Sequence, residues 1–240
     1  MLQVRAYGLT DVGRKRTGNE DAFIVDEKHG IYIVADGMGG HNAGEVASAQ
    51  AIETVTRIVT ENLSVLADLT ENPTPENGQE AQRLIEHAIQ KACSEIFRMA
   101  QADAAKRGMG TTFVGLFCAG QKAVIGHVGD SRAYLLRQGQ AHRLTEDHTL
   151  IAAQLKAGTI TKEEALKSPY RNVITRAVGI QESVQVDTLL VDLLPGDLFM
   201  LCSDGMHGYL QDDETAMLLG AAPWDVLDRK STRLNSSHVK

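Results

Sequence analysis

The sequence predicts an α+β domain in which antiparallel strands pack in layers against helices, and three features carry that expectation. Short apolar or alternating segments, bounded by turn residues, occupy both ends of the 240-residue chain. Two long segments between them repeat their apolar residues at helical spacing. The order runs strands, two helices, strands, a short helical stretch and strands again, which fits a layered domain better than a βαβ alternation.

In order, strands are expected over residues 3–9, 23–26 and 31–35, the last two separated by the turn Lys28-His29-Gly30. A helix is expected over 43–62, with Val46, Ala47, Ala49, Ile52, Val55, Ile58 and Val59 on one face. The segment 68–80 (DLTENPTPENGQE) is polar and carries prolines, so it reads as a loop. A second helix is expected over 79–107, where Leu84, Ile85, Ala88, Ile89, Ala92, Cys93, Ile96, Phe97 and Ala100 form an apolar stripe. Strands follow over 112–119, 122–128 and 132–137, punctuated by Ala119-Gly120-Gln121 and Arg137-Gln138-Gly139. Residues 147–180 interrupt them with helical pieces at 148–157 and 161–166 and the loop SPYRN; an insertion of that size reads either as a mobile flap over a site or as a surface excursion. Strands over 184–191 and 197–202 come last.

Composition narrows the function. A hydrophobic fraction of 43% and a charged fraction of 23% are ordinary for a soluble globular domain of this length. A net charge of −7 argues against a nucleic-acid partner, which needs a basic face. The three cysteines, Cys93, Cys118 and Cys202, lie in apolar runs without metal-binding spacing and read as buried reduced thiols. No leader-like or membrane-spanning apolar stretch occurs, so a cytoplasmic protein is expected.

The chemistry gathers where apolar strands break into glycine turns. Asp36 ends such a run in IYIVADGMGG, Asp130 in AVIGHVGDSR and Asp204 in LFMLCSDGM, while Asp21 stands beside Glu20 in RTGNEDAF. An acid at the end of a buried strand is costly unless something neutralises it. Three such ends and an acidic pair point to one convergent site for hard divalent cations, and therefore to a metal-dependent enzyme.

The motifs in series are Arg16-x-x-x-Glu20-Asp21, Asp36-Gly37-Met38-Gly39-Gly40-His41, Gly110-Thr111-Thr112, Gly129-Asp130-Ser131-Arg132 and Cys202-Ser203-Asp204-Gly205. A single Asp-Gly pair is a common turn, but this order and spacing closely resemble the PPM family of metal-dependent serine/threonine protein phosphatases (type 2C) in its bacterial stand-alone form. The resemblance runs from about residue 3 to about residue 220. It implies an antiparallel β-sandwich flanked by helices on both faces, with two Mn²⁺ or Mg²⁺ ions at one end and a weaker third. On that pattern Asp36 bridges both metals and the Gly37 carbonyl ligates one. Glu20 ligates the second metal directly or through water, and Asp21 holds metal-associated water. Asp204 ligates the first metal, and Asp130 joins Asp204 at the third. The implied reaction is hydrolysis of phosphoserine and phosphothreonine in phosphoproteins, opposing a serine/threonine kinase, by a protein working as a monomer.

Phosphomonoester hydrolysis calls for such residues in any case. Paired cations activate water and neutralise the phosphoryl oxygens, and carboxylates rather than Cys/His clusters suit Mg²⁺ and Mn²⁺. Arg16 fits a bidentate phosphate fork, although the run Arg14-Lys15-Arg16 also reads as a solvated basic turn. Glu20 and Asp21 read alternatively as caps of a local turn, and Asp130 as a partner of Arg132. His41 is a candidate proton donor to the leaving oxygen or a cap for the helix beginning near Ala43, with metal-associated water as the rival donor. Asp147, next to His148 at the start of the flap, reads as a third-metal ligand or, more commonly for such an Asp, as a helix cap.

The chain departs from the pattern at its end. The family closes with an Asp-Asn pair and a last strand, whereas here no Asp follows Asp228 and residues 229–240 (RKSTRLNSSHVK) differ in composition from everything before. A phosphatase domain over 1–228, lacking its final strand, followed by a foreign or disordered tail over 229–240 is therefore expected, with a first metal site short of one carboxylate and reduced activity. Two rival readings stand beside the protein phosphatase: a regulatory phosphoprotein-binding module with an incomplete metal site, and a small-molecule phosphomonoesterase.

Overall fold

The structure, a computed structural model, describes residues 4–13, 18–39, 43–208 and 214. Arg16, His41 and the 229–240 tail lie outside the described residues. In chain order the elements are β1 (Asp21–Asp26), β2 (Ile31–Met38), α1 (Ala43–Glu61), α2 (Leu63–Glu71), α3 (Pro75–Ala102), a 3₁₀ turn at Ala104–Lys106, β3 (Gly110–Thr111), β4 (Phe113–Ala119) and β5 (Lys122–Val128). They continue with β6 (Arg132–Arg137), β7 (Gln140–Arg143), α4 (Leu150–Lys156), α5 (Lys162–Lys167), β8 (Asp187–Asp192), β9 (Leu198–Cys202) and the single turn α6 (Asp204–His207).

Among the described residues all strand pairings are antiparallel, in a six-stranded sheet of order β1-β2-β4-β5-β8, with β3 on β2, and a three-stranded sheet of order β7-β6-β9. Strand alternation sorts the apolar side chains into two layers. Ile31, Ile33, Ala35, Phe113, Phe117, Val124 and Val128 face α1, α2 and α3 and form one core with Val55, Ile85, Ile89 and Ile96. Tyr32, Val114, Leu116, Ala123 and Ile125 point the other way, into a second core closed by Ala133 of β6 and Phe199 and Leu201 of β9. The expected layered α+β class is what forms, and the space between the sheets positions the site. Among the described residues no helix is long and apolar enough to cross a membrane.

Several boundaries differ from the sequence reading. Residues 4–9 form no strand; Tyr7 and Leu9 are exposed, and the Ala6 N–H donates to Glu27 Oε1 at 2.9 Å instead of to a strand neighbour. The expected loop over 68–80 is mostly helical. Pro75 sits at the first position of α3, where its missing N–H costs nothing, and Thr74 caps the helix by accepting from the Asn77 N–H at 3.3 Å. The second long helix therefore begins at Pro75 and ends at Ala102. The strand expected from residue 112 begins at Phe113, and the Thr112 N–H donates to the Asp36 carbonyl at 2.9 Å. β7 was not anticipated, since Gln140–Arg143 is short and polar. Cys93 and Cys202 are buried and Cys118 half-buried, all as free thiols.

Candidate metal centre

The site begins from strand register. Asp21 of β1 lies directly opposite Asp36 of β2, so both side chains share one face of the sheet. That is the inter-sheet face: along β2, Tyr32 and Val34 line the inter-sheet core and Asp36 follows at the same alternation. The apolar space between the sheets thus ends in acids. Asp130 arrives in the β5–β6 turn, where Gly129 takes φ +106°, a conformation that L side chains rarely adopt. Asp204 follows β9 as the first residue of α6.

The backbone around these acids is tightly tied. The Asp36 N–H donates to Thr112 Oγ1 at 3.0 Å, and its carbonyl accepts from Thr111 Oγ1 at 3.0 Å and from the Thr112 N–H at 2.9 Å. Thr112 Oγ1 also meets Ser131 Oγ at 2.7 Å, linking the Asp36 strand to the residue after Asp130. Ser203 Oγ donates to Asp21 Oδ2 at 3.0 Å and joins the end of β9 to the start of β1. His207 Nε2 lies 2.8 Å from the Asp130 carbonyl oxygen, an acceptor that requires the ring to donate. The Glu20 carbonyl accepts from the Gly37 N–H at 3.0 Å and from Ser48 Oγ of α1 at 2.7 Å. Glu20's carboxylate lies against Gly44, where a Cβ would collide with it, so the absence of a side chain at Gly44 lets the acid approach the start of α1. Thr111, Thr112, Ser131 and Ser203 stand in the motifs quoted above, where sequence reasoning gave them no role, and His207 is a support that it missed. Their hydroxyl and imidazole chemistry is generic, and only the fold brings them together.

Electrostatics show what the site favours. Burial, followed by the charges of Asp21, Asp204 and Asp130 and a hydrogen bond shared with Asp21, pushes the Asp36 carboxyl from the ordinary 3.8 up to about 9. Asp130 is pushed up to about 6, again by burial first and then by Asp204 and Asp147, with Arg132 offsetting part of the effect. Arg132, whose charge reaches Asp130, donates to Asp147 Oδ1 at 2.9 Å and Oδ2 at 2.7 Å, and to the Tyr134 hydroxyl at 3.0 Å. Asp147 therefore serves as Arg132's partner and not as a helix cap; the cap of α4 is Thr149, which accepts from the Ala152 N–H at 3.2 Å. Mutually repelling carboxylates, oxygen donors throughout, are the chemistry of a hard divalent cation site, so the residues fit Mg²⁺ or Mn²⁺. A bound cation reverses the repulsion that drives these groups toward protonation.

The Protein phosphatase 2C family profile matches residues 13–237. The chain belongs to the protein phosphatase 2C family. It is 38% identical over 213 residues to the serine/threonine phosphatase stp of Listeria innocua, a match spanning 88% of this chain and 81% of that protein. A crystal structure of a bacterial serine phosphatase superposes with a TM-score of 0.81 at 32% identity, covering 95% of this chain and 89% of that one. The catalytic domain of the serine/threonine phosphatase PstP, solved with two manganese ions, superposes with a TM-score of 0.76 at 28% identity, covering 93% of this chain and 87% of that one. As a phosphatase 2C, the chain is metal-dependent, and the acid-lined end of the inter-sheet space is where its carboxylates gather.

Proposed function

We propose that the chain is a metal-dependent serine/threonine protein phosphatase that works at the acidic end of the sandwich, and that Asp36 is the central ligand of that site. The observation that supports this most is the state of Asp36: buried, directly opposite Asp21 in strand register, and pushed up by the charges of Asp21, Asp204 and Asp130. Two divalent ions, Mn²⁺ or Mg²⁺, would be held by Asp36, Glu20, Asp21, Asp204 and the Gly37 carbonyl, with Asp130 and Asp204 holding a weaker third. Such ions supply Lewis acidity, activating water and neutralising charge on the phosphoryl oxygens.

The chain's own residues do the rest. Arg16, placed by its spacing from Glu20 and Asp21, would clamp the phosphate through two parallel N–H bonds. His41, close behind Asp36 and Gly37 in sequence, would give a proton to the leaving serine or threonine oxygen. The Thr111 and Thr112 bonds keep the Asp36 backbone in place while its carboxylate is loaded. Residues 147–180 form the flap, with Leu166 and Tyr170 exposed for contact with a phosphoprotein. We place the protein in the cytoplasm, as a monomer opposing a serine/threonine kinase.

Phosphate release from a phosphothreonine peptide, compared with a sugar phosphate and with a chelator control, tests the reading. Peptide turnover that needs Mn²⁺ and exceeds sugar-phosphate turnover is expected. A preference for the sugar phosphate supports a small-molecule phosphomonoesterase, and peptide binding without turnover supports a regulatory module. For His41→Ala, the acidic-to-neutral limb of the pH–rate profile is expected to change. An unchanged limb removes His41 from the proton transfer and leaves that role to metal-associated water.

A further inference from the structure

His127 is a buried polar side chain that phosphate hydrolysis leaves unused. It stands on β5 among apolar neighbours, 2% exposed, and neither ring nitrogen has a hydrogen-bond partner among the described residues. The Ser131 carbonyl favours the charged ring slightly without meeting hydrogen-bond geometry. Buried polar atoms are normally paired, so an imidazole with two bare nitrogens is an anomaly that needs an explanation.

Its neighbours suggest one. Strand register sets His127 directly opposite Asp187 of β8, on one face of the sheet. His148, at the start of the flap, brings its ring centroid to 4.7 Å from that of His127. One donor atom from each of His127, His148 and Asp187 lies within 4.8 Å of the other two. Asp187 is about half exposed, which gives an ion a way in, whereas the two rings are buried. Burial, with the neighbouring His148 charge, pushes His127 down to about 4, so at neutral pH it is the uncharged imidazole that a metal requires.

We propose that His127, His148 and Asp187 form an accessory site for a borderline divalent ion of the Zn²⁺ class, chemically distinct from the carboxylate centre. Two imidazole nitrogens and one carboxylate oxygen are the donors that Zn²⁺ and its neighbours prefer over Mg²⁺ and Mn²⁺, and three protein ligands leave a fourth position for water.

Two bonds compete with such an ion and give the site a consequence. Arg176 Nη1 donates to Asp187 Oδ1 at 3.0 Å and lies 3.1 Å from His148 Nε2, so it must swing away. His148 Nδ1 accepts from the Gly129 N–H at 3.1 Å, which places the ring proton on Nε2, facing Asp187 Oδ2 at 3.1 Å. For Nε2 to ligate, that proton must leave the ring or move to Nδ1; in the second case the bond to Gly129 breaks. Gly129 immediately precedes Asp130, so in that second case an ion held here removes one of the two bonds between Gly129 and His148, leaving the Gly129 carbonyl still accepting from the His148 N–H at 2.8 Å, and loosens the turn that carries Asp130. By that route the accessory site is antagonistic to the carboxylate centre. This antagonism rests on the phosphatase reading, whereas binding of the ion does not.

The test is a Co²⁺ titration of the full chain in excess Mg²⁺, read by visible absorption, because four-coordinate nitrogen-ligated Co²⁺ absorbs far more strongly than six-coordinate oxygen-ligated Co²⁺. One saturable strong-absorbing site, displaced by Zn²⁺, is expected. Asp187→Asn should weaken it by about tenfold or more, and Arg176→Ala, which removes the competing guanidinium, should tighten it by about tenfold. His127→Gln should abolish it. If that core variant does not fold, the opposite responses of the other two still decide the matter. Absence of the strong band, or the same affinity in wild type, Asp187→Asn and Arg176→Ala, overturns the site. Faster hydrogen exchange at the Gly129 amide on Zn²⁺ binding is the expected sign of coupling; binding that leaves that amide's exchange unchanged overturns the antagonism.

Discussion

Asp36→Asn is expected to lower phosphopeptide hydrolysis by about three orders of magnitude, the size of effect when several kcal/mol of metal-borne charge stabilisation leave the transition state. The same substitution should leave the fold intact and, without divalent ions, make it more resistant to heat at alkaline pH. The sign follows from the direction of the shift. Asp36 moves from 3.8 in an ordinary setting to about 9 in the fold, so between those values the folded chain holds a proton that the unfolded chain releases. Its contribution to stability is therefore lost as pH rises from about 4 toward about 9, with an upper slope of about 1.4 kcal/mol per pH unit for a single group. Asn carries no such slope. Thermal melts with chelator at pH 5 and pH 8 should show wild type falling further than Asp36→Asn between the two. Parallel shifts would mean that Asp36 is not the strained acid described above.

Asp147→Ala is the substitution expected to cost the most stability outside the apolar core. Arg132 and Asp147 are 16% and 13% exposed and meet through two parallel bonds. Removing the acid leaves a guanidinium largely out of water with only part of its charge answered, at a cost of about 3 kcal/mol. Replacing both partners together, as Asp147→Leu with Arg132→Met, should destabilise less than Asp147→Ala alone, because no orphaned charge remains. Urea denaturation of the two variants makes the comparison. A double variant as unstable as the sum of two single losses would show that the side chains act independently. Because Arg132 also offsets the repulsion at Asp130, the double variant should bind divalent ions differently even where it folds well.

How much of this could be read from the sequence depends on how local each cause is. The apolar stripes of α1 and α3 are set by nearest neighbours in the chain and appear where spacing places them, whereas Asp36, expected to end its strand, lies within β2, which runs on to Met38 to pair with β3, and Asp204 opens α6 just after β9. Residues 4–9 show the limit of alternation: Val4, Tyr7 and Leu9 have strand-like spacing, yet no strand forms over 4–9 and these three side chains are exposed. The polar stretch around Pro73 and Pro75 misled in the opposite direction, because proline breaks a helix interior but suits its first turn. Asp147 was claimed by an arginine fifteen positions away, a contact that only the fold creates. His127 did leave a trace, a histidine inside the apolar run AVIGHVG, but its meaning depends on β8 and His148, which approach it only in three dimensions.

The central claim is that the carboxylates around Asp36 hold the catalytic divalent ions. Calorimetric titration of the chelator-treated full chain with Mn²⁺, beside Asp36→Asn, tests it most directly. At least two bound ions are expected for wild type, and weaker binding with fewer ions for Asp36→Asn. Equal stoichiometry and affinity in the two proteins would contradict it.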